Sequence, residues 1–169
     1  MRIEDQDLVQ LEVLLDPPLR ALLRQTLYLL ERENRQPKSA EVTDYGFLVY
    51  SGALVYEGFL KRFFYTLELI SLGQFGSDHF RIGKALNPDL PERYRDEGWV
   101  YGPLTQICGT GTATELWRAW KLGRNQVFHY DFVHGKRVSL AQAEEKIALL
   151  LDAMLAAASC EGKVKRGES

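Results

Sequence analysis

The chain has 169 residues, of which 46% are hydrophobic and 11% aromatic, enough for one domain with a buried core. The 21 Lys and Arg residues against 23 Asp and Glu give a net charge of −2, which argues against nucleic-acid binding through bulk positive charge. No apolar run reaches roughly 18 residues, and the acidic start does not resemble a signal peptide. We therefore expect a soluble, cytoplasmic protein with no membrane contact and at most a local nucleic-acid site.

The cysteines and histidines offer little material for a metal site. Cys108 and Cys160 lie far apart, and neither has a second cysteine at metal-binding spacing. His129 and His134 are five residues apart, and the only carboxylate residue between them is Asp131. Tight metal sites need several ligands at defined spacing. We expect free, reduced thiols, no metal and no cofactor.

The first half of the chain predicts two long helices. Asp16 can cap a helix whose first turn holds Pro17, and this helix is expected to end at about Asn34. The longest periodic segment runs from Thr43 to Leu72, with apolar residues at three- and four-residue steps. Gly73 is its predicted end.

The second half is first broken and then helical again. Glycine and proline interrupt residues 74–109, which predicts a short helix around 78–86 and a long connection. Thr112 and Glu115 form a predicted capping box, and Ser139 and Gln142 form a second one at the start of the last helix. We expect the last helix to fade by Ser159.

These elements together predict an all-α fold, an up-and-down bundle of four to five helices. A single helical domain is expected over residues 1–160, with residues 1–40 as an N-terminal helical extension. Residues 161–169 form a polar tail that we expect to be disordered.

Arg124 interrupts the apolar face of the helix before the last one. It follows Leu116 and Trp120 at steps of four residues, and an unpaired guanidinium on such a face is costly. Asn125 and His129 follow closely. On an ideal helix Arg124 and His129 would lie about 140° apart, so they can share a site only if the helix ends between them or a second chain brings copies together.

A second stripe on the long predicted helix also contains charges. Glu57 and Lys61 form an i,i+4 acid-to-base pair there, and Glu57 is a candidate partner for Arg124. Gly58, costly inside a helix by about 1 kcal/mol, suggests the close approach of another backbone or a ligand. The stripe is Phe47, Tyr50, Leu54, Glu57, Lys61 and Phe64.

The segment Arg124–His129, with Asn125 after the arginine and a capped helix after the segment, resembles the Arg-x4-His motif of the HEPN superfamily of helical bundles. Many members are metal-independent endoribonucleases of toxin–antitoxin or antiviral systems. The segment 56–61 is similar to the equivalent part of the catalytic domain of ribonuclease LS-type toxins, whose site adds a glutamate. The resemblance covers roughly residues 43–158 and implies a HEPN-like bundle.

The resemblance implies an RNA-cleaving site and a homodimer. His129 would transfer protons near neutral pH, Arg124 would hold the phosphate charge, and Glu57 and Asn125 would orient them or assist. Cleavage would leave 2′,3′-cyclic phosphate and 5′-hydroxyl ends, in a cleft shared across a two-fold interface. A cognate antitoxin is a possible partner. Candidate RNA contacts are Lys61, Tyr130, Arg81 and Lys84.

Other interpretations remain open at this point. The chain could be a non-catalytic HEPN module that binds a protein, a nucleotide or RNA, or a structural helical dimer unrelated to RNA. Arg124 could be a structural ion-pair partner of Glu57 or Asp131, and His129 an ordinary core histidine. Lys61 could be a surface residue with a buried stem. His79 and Phe80, with Arg81 and Lys84, could form a stacking and phosphate-binding patch or simply a short amphipathic helix.

Overall fold

The computed structural model describes residues 4–36, 41–128 and 137–166, and these residues form helices, turns and loops without a strand. The all-α prediction is confirmed to that extent. A 3₁₀ turn at Glu92–Tyr94 and a π-helical turn at Trp120–Asn125 interrupt the α-helices. The α-helices are α1 Asp5–Leu14, α2 Pro17–Arg35, α3 Gly46–Thr66, α4 Leu72–Phe75, α5 Ile82–Ala85, α6 Tyr101–Ala119, α7 Gln126–Phe128 and α8 Leu140–Arg166.

Helix α3 is the centre of a helical bundle. It packs against α2 and α8, and α6 also packs against α8. Its buried residues include Tyr56, Phe59 and Phe63, of which Phe59 and Phe63 lie on the apolar face that the spacing predicted. Gly58 lies under Leu19 of α2, whose methyl carbon would be 2.5 Å from a Cβ at that position. The neighbour that requires glycine there is therefore a side chain, and not the backbone or ligand that we expected.

Two predicted helix starts are confirmed. The Asp16 carboxylate accepts a hydrogen bond from the Leu19 backbone N–H, 3.1 Å away, at the start of α2. At the start of α8, the Gln142 N–H donates to Ser139 Oγ, and the Ser139 N–H donates to Gln142 Oε1. Both halves of the second capping box are present.

The long helix ends earlier than predicted. Helix α3 stops at Thr66, and Glu68 adopts a left-handed conformation with φ of 57°. The Leu69 N–H donates to the Phe64 carbonyl, and the Glu68 N–H donates to the Tyr65 carbonyl. These two bonds form a Schellman motif, in which glycine is the usual residue at the position of Glu68.

Gly73, the predicted end of that helix, lies inside the new helix α4. Ser71 Oγ accepts from the Gln74 N–H, and Gln74 Oε1 accepts from the Ser71 N–H. The sequence Ser71-Leu72-Gly73-Gln74 therefore starts a helix through a capping box that the apolar periodicity concealed.

Helix α6 begins before the predicted capping box and contains a sharp corner. Gly109, with φ of 81° and ψ of 157°, is not helical. Along a straight helix, 13 residues rise about 20 Å, yet the hydroxyls of Tyr101 and Thr114 are 3.2 Å apart. Gly109 divides α6 into two helical segments, and the segment that contains Thr112 begins just after Gly109, a few residues before the predicted start.

A disulfide joins α6 to α8. Cys108, next to the corner of α6, is bonded to Cys160 of α8, with 5.4 Å between their Cα atoms. The expectation of free thiols is therefore wrong. Helix α8 continues to Arg166, past its predicted end at Ser159. None of the helices in the described ranges is both long enough and apolar enough to cross a membrane.

Candidate functional site

The π-helical turn at Trp120–Asn125 places Arg124, and α8 fixes that turn. Gly123 lies so close to α8 that a Cβ there would be 2.7 Å from a methyl carbon of Leu150. The Lys146 ammonium donates to the Leu122 carbonyl within the same turn. π turns widen a helix locally and often occur at functional sites, which makes this turn a candidate for the functional site.

Trp120, the first residue of the π turn, packs against Gly83 of α5. Trp120 is 4% exposed, and its Nε1 would be 2.8 Å from a Cβ at Gly83 of α5. The indole is therefore held between α5 and the bundle. Its N–H has no hydrogen-bond partner in the described part of the chain.

Helix α3 brings Glu57 to the same place. Tyr56 is completely buried, and its hydroxyl donates to the Leu116 carbonyl of α6, 2.9 Å away. Burial raises the pKa of Tyr56 well above its usual value, so the phenol stays protonated and keeps this bond. The bond ties α3 to α6 one residue before Glu57 and four residues before the π turn.

The predicted partnership between Glu57 and Arg124 is present. Arg124 Nη2 lies 3.5 Å from Glu57 Oε2, and the two side chains are 28% and 35% exposed. Arg124 Nη1 donates to Asn125 Oδ1, 3.2 Å away. The carboxylate and the amide thus orient the guanidinium, while part of it still faces solvent.

Two aromatic rings enclose the guanidinium. Its Cζ lies 4.8 Å from the centre of the Trp120 ring and 4.7 Å from that of Phe128, both within the range of cation–π attraction. Phe128 in turn contacts Tyr50 of α3, with ring centres 5.5 Å apart. Arg124 Nε is buried and has no hydrogen-bond partner among the residues described. Trp120 and Phe128 were not among the predicted site residues, although they lie four residues before and four residues after Arg124.

The remaining predicted site residues fall into three groups. His129 and Tyr130 lie outside the described residues. Lys61 donates to the Ser77 carbonyl, 2.9 Å away, one turn along α3 from Glu57. Arg81 and Lys84 lie together with His79 and Phe80 around a separate cleft, and Lys84 forms an ion pair with Asp96.

The structure brings Arg124, Asn125 and Glu57 together. Within the described ranges, no three His, Cys, Asp or Glu residues are placed to hold a metal ion. Comparison of the chain with protein-family models, with curated proteins and with solved structures found no match. The chemistry of this site is therefore derived from its own residues.

Proposed function

We propose that the protein is a metal-independent endoribonuclease of the HEPN type, the toxic or defence component of a small system. The observation that carries the proposal is the partly exposed guanidinium of Arg124, held by Glu57 and Asn125 beside two aromatic rings. A structural ion pair does not require two rings and an amide to orient the cation. Such orientation favours a phosphate-binding arginine, since its planar fork contacts two phosphate oxygens together.

The proposed reaction uses the 2′-hydroxyl of RNA as nucleophile. The hydroxyl oxygen attacks the adjacent phosphorus, the bond to the 5′-oxygen breaks, and the products are a 2′,3′-cyclic phosphate and a 5′-hydroxyl. Arg124 would stabilise the negative charge that develops on the phosphoryl oxygens. His129, four residues beyond Asn125, would take the proton from the nucleophile or give one to the leaving oxygen.

The first test is RNA cleavage in the presence of EDTA. We expect the purified wild-type protein to cleave a mixed RNA pool after chelation, and His129→Ala to be inactive because it removes the proton-transfer group. Circular dichroism must show that both proteins are folded. No cleavage by either folded protein would favour a non-catalytic module that binds a protein or nucleotide, and equal cleavage by both would contradict the proposed role of His129.

We also propose that the active form is a homodimer, with an exposed apolar stripe of α3 at the interface. Phe47, Tyr50 and Leu54 are 47%, 52% and 37% exposed and lie at i, i+3 and i+7, on one side of the helix. Glu57 continues this stripe. A second copy docked here would bring its own Arg124 towards that of the first copy, which gives the two-fold site that the HEPN resemblance implies.

Leu54→Glu tests the interface. Because Leu54 is partly exposed in the single chain, the substitution should leave the fold intact but place a charge in an apolar interface, giving a monomer with cleavage reduced at least tenfold. Molar mass by light scattering and a cleavage assay are the measurements. Val13→Glu, at an apolar residue 72% exposed on α1, is the matched control and should remain dimeric. A monomeric wild-type protein would contradict the proposed interface.

A further inference from the structure

A cleft that is separate from the Arg124–Glu57 pair lies between α4, α5 and the turn at Asp96–Gly98. Its volume is about 500 Å³, within the range of pockets that hold small ligands. The side chains that matter are His79, Phe80, Arg81, Asp96 and Glu97. None of these residues belongs to the Arg124–Glu57 pair or to the apolar stripe of α3.

The charges in this cleft are only partly neutralised. Lys84 donates to the Asp96 carboxylate, and this hydrogen bond lowers the pKa of Asp96, so the pair stays ionised and mutually satisfied. The exposed side chains of Arg81 and Glu97 make no ion pair or hydrogen bond within the described residues. One cation and one carboxylate therefore remain available to a ligand.

An aromatic ring and a glycine complete the cleft. Phe80 is half-buried, and a Cβ at Gly98 would be 3.6 Å from the edge of its ring and 3.2 Å from Nε2 of Gln74. The absence of a side chain at Gly98 therefore leaves space over the ring edge. A flat ligand could contact the ring there, while its polar groups reach Arg81 and Glu97.

We propose that this cleft binds one nucleotide unit. The base would pack against the exposed part of the Phe80 ring, because aromatic side chains are the usual partners of bases in single-strand binding proteins. The phosphate would pair with Arg81, and the Glu97 carboxylate would accept from a sugar hydroxyl, as acidic residues do in dinucleotide sites. A nucleotide carries all three groups that the cleft complements.

Two contacts connect this cleft to the candidate ribonuclease site. Ser77, which lines the cleft, accepts from Lys61 one helical turn from Glu57. Gly83 of α5, between Arg81 and Lys84, lies against Trp120, whose ring contacts Arg124. The bound unit could therefore belong to the RNA strand that Arg124 contacts, next to the cleaved bond. That extension rests on the proposed function, whereas nucleotide binding in the cleft does not.

The test measures binding of the four nucleoside 5′-monophosphates by titration calorimetry. These probes contain no bond that the proposed reaction could cleave, so the result does not depend on ribonuclease activity. We expect at least one to bind the full-length wild-type protein, and its Kd to rise at least tenfold in Arg81→Ala, which loses the phosphate partner. Gly98→Val, which fills the cleft without changing charge, should have the same effect. Arg62→Ala, at an exposed arginine on α3, should bind like wild type.

Two further arms identify the source of the nucleotide. If the unit belongs to RNA, a single-stranded hexaribonucleotide competes with the monophosphate, and Arg81→Ala raises the KM of cleavage with little change in kcat. If the site holds a free nucleotide, the hexamer does not compete. Binding of monophosphate without any RNA cleavage would keep the nucleotide site and remove the proposed function. No binding of any monophosphate, or binding that is unchanged in both Arg81→Ala and Gly98→Val, would overturn the nucleotide site.

Discussion

Replacing Arg124 with lysine is expected to reduce RNA cleavage by about 100- to 1,000-fold, the usual effect of removing one group that stabilises a transition state. Lysine keeps the positive charge but cannot contact two phosphate oxygens with a planar fork. It also cannot stack in the same way between Trp120 and Phe128, whose ring centres lie 4.8 Å and 4.7 Å from the guanidinium carbon. The measurement is single-turnover cleavage of a defined RNA.

The same variant separates a catalytic arginine from a structural one. Arg124→Lys keeps a positive charge opposite Glu57, whose Oε2 lies 3.5 Å from Arg124 Nη2, so most of the ion pair's contribution to the free energy of unfolding should persist. We expect Arg124→Lys to lose activity without a comparable loss of stability. Arg118→Lys, at an exposed arginine of α6, is the matched control. A variant that unfolds readily and loses activity only in proportion would indicate a structural role.

Loss of the Cys108–Cys160 disulfide is expected to lower the free energy of unfolding by about 4 kcal/mol. The bridge spans a sequence separation of 52 residues, and closing a loop of that length restricts the unfolded chain by roughly this amount. For a chain of this size the melting temperature should fall by roughly 10 °C. Denaturant unfolding of the protein with Cys108→Ser and Cys160→Ser combined is the measurement.

A reductant provides the control for this prediction. Wild-type protein should become as unstable as the double variant when dithiothreitol is added, whereas the double variant should not respond to it. A thiol titration of the unfolded, unreduced wild type should find no free cysteine. Two free thiols in that titration would restore the expectation from the sequence and contradict the bridge.

The parts of the fold that the sequence predicted correctly are those set by neighbouring residues. Asp16 caps α2 and the Ser139–Gln142 box opens α8, because a cap is made with a backbone group only a few residues away. The Glu57–Arg124 pair was also predictable, since each charge interrupts an apolar face and needs a partner.

The predictions that were wrong concern contacts between residues distant in sequence or uncommon backbone conformations. Helix α3 ends through a left-handed Glu68, where the usual signal would be glycine, so periodicity carried the predicted helix too far. The Cys108–Cys160 bridge needs the corner at Gly109 to bring α6 to α8, and spacing alone does not determine such a pairing. A glycine in a helix can indicate close packing with a neighbouring element, and Gly83 and Gly123 do pack closely. Their partners, Trp120 and Leu150, lie on other elements and could not be identified from the sequence.

The contact of Gly123 with α8 has a consequence for how the candidate site responds to disturbance. Arg124 lies on a π-helical turn, which is wider than an α-helix and is held against α8 by Leu150 and by the Lys146 bond to Leu122. Local opening of a protein follows its cooperative units rather than the boundaries of its site. Leu150 belongs to the same buried core as Tyr56, the neighbour of Glu57, so we expect Arg124 and Glu57 to lose their arrangement in the same opening of that core.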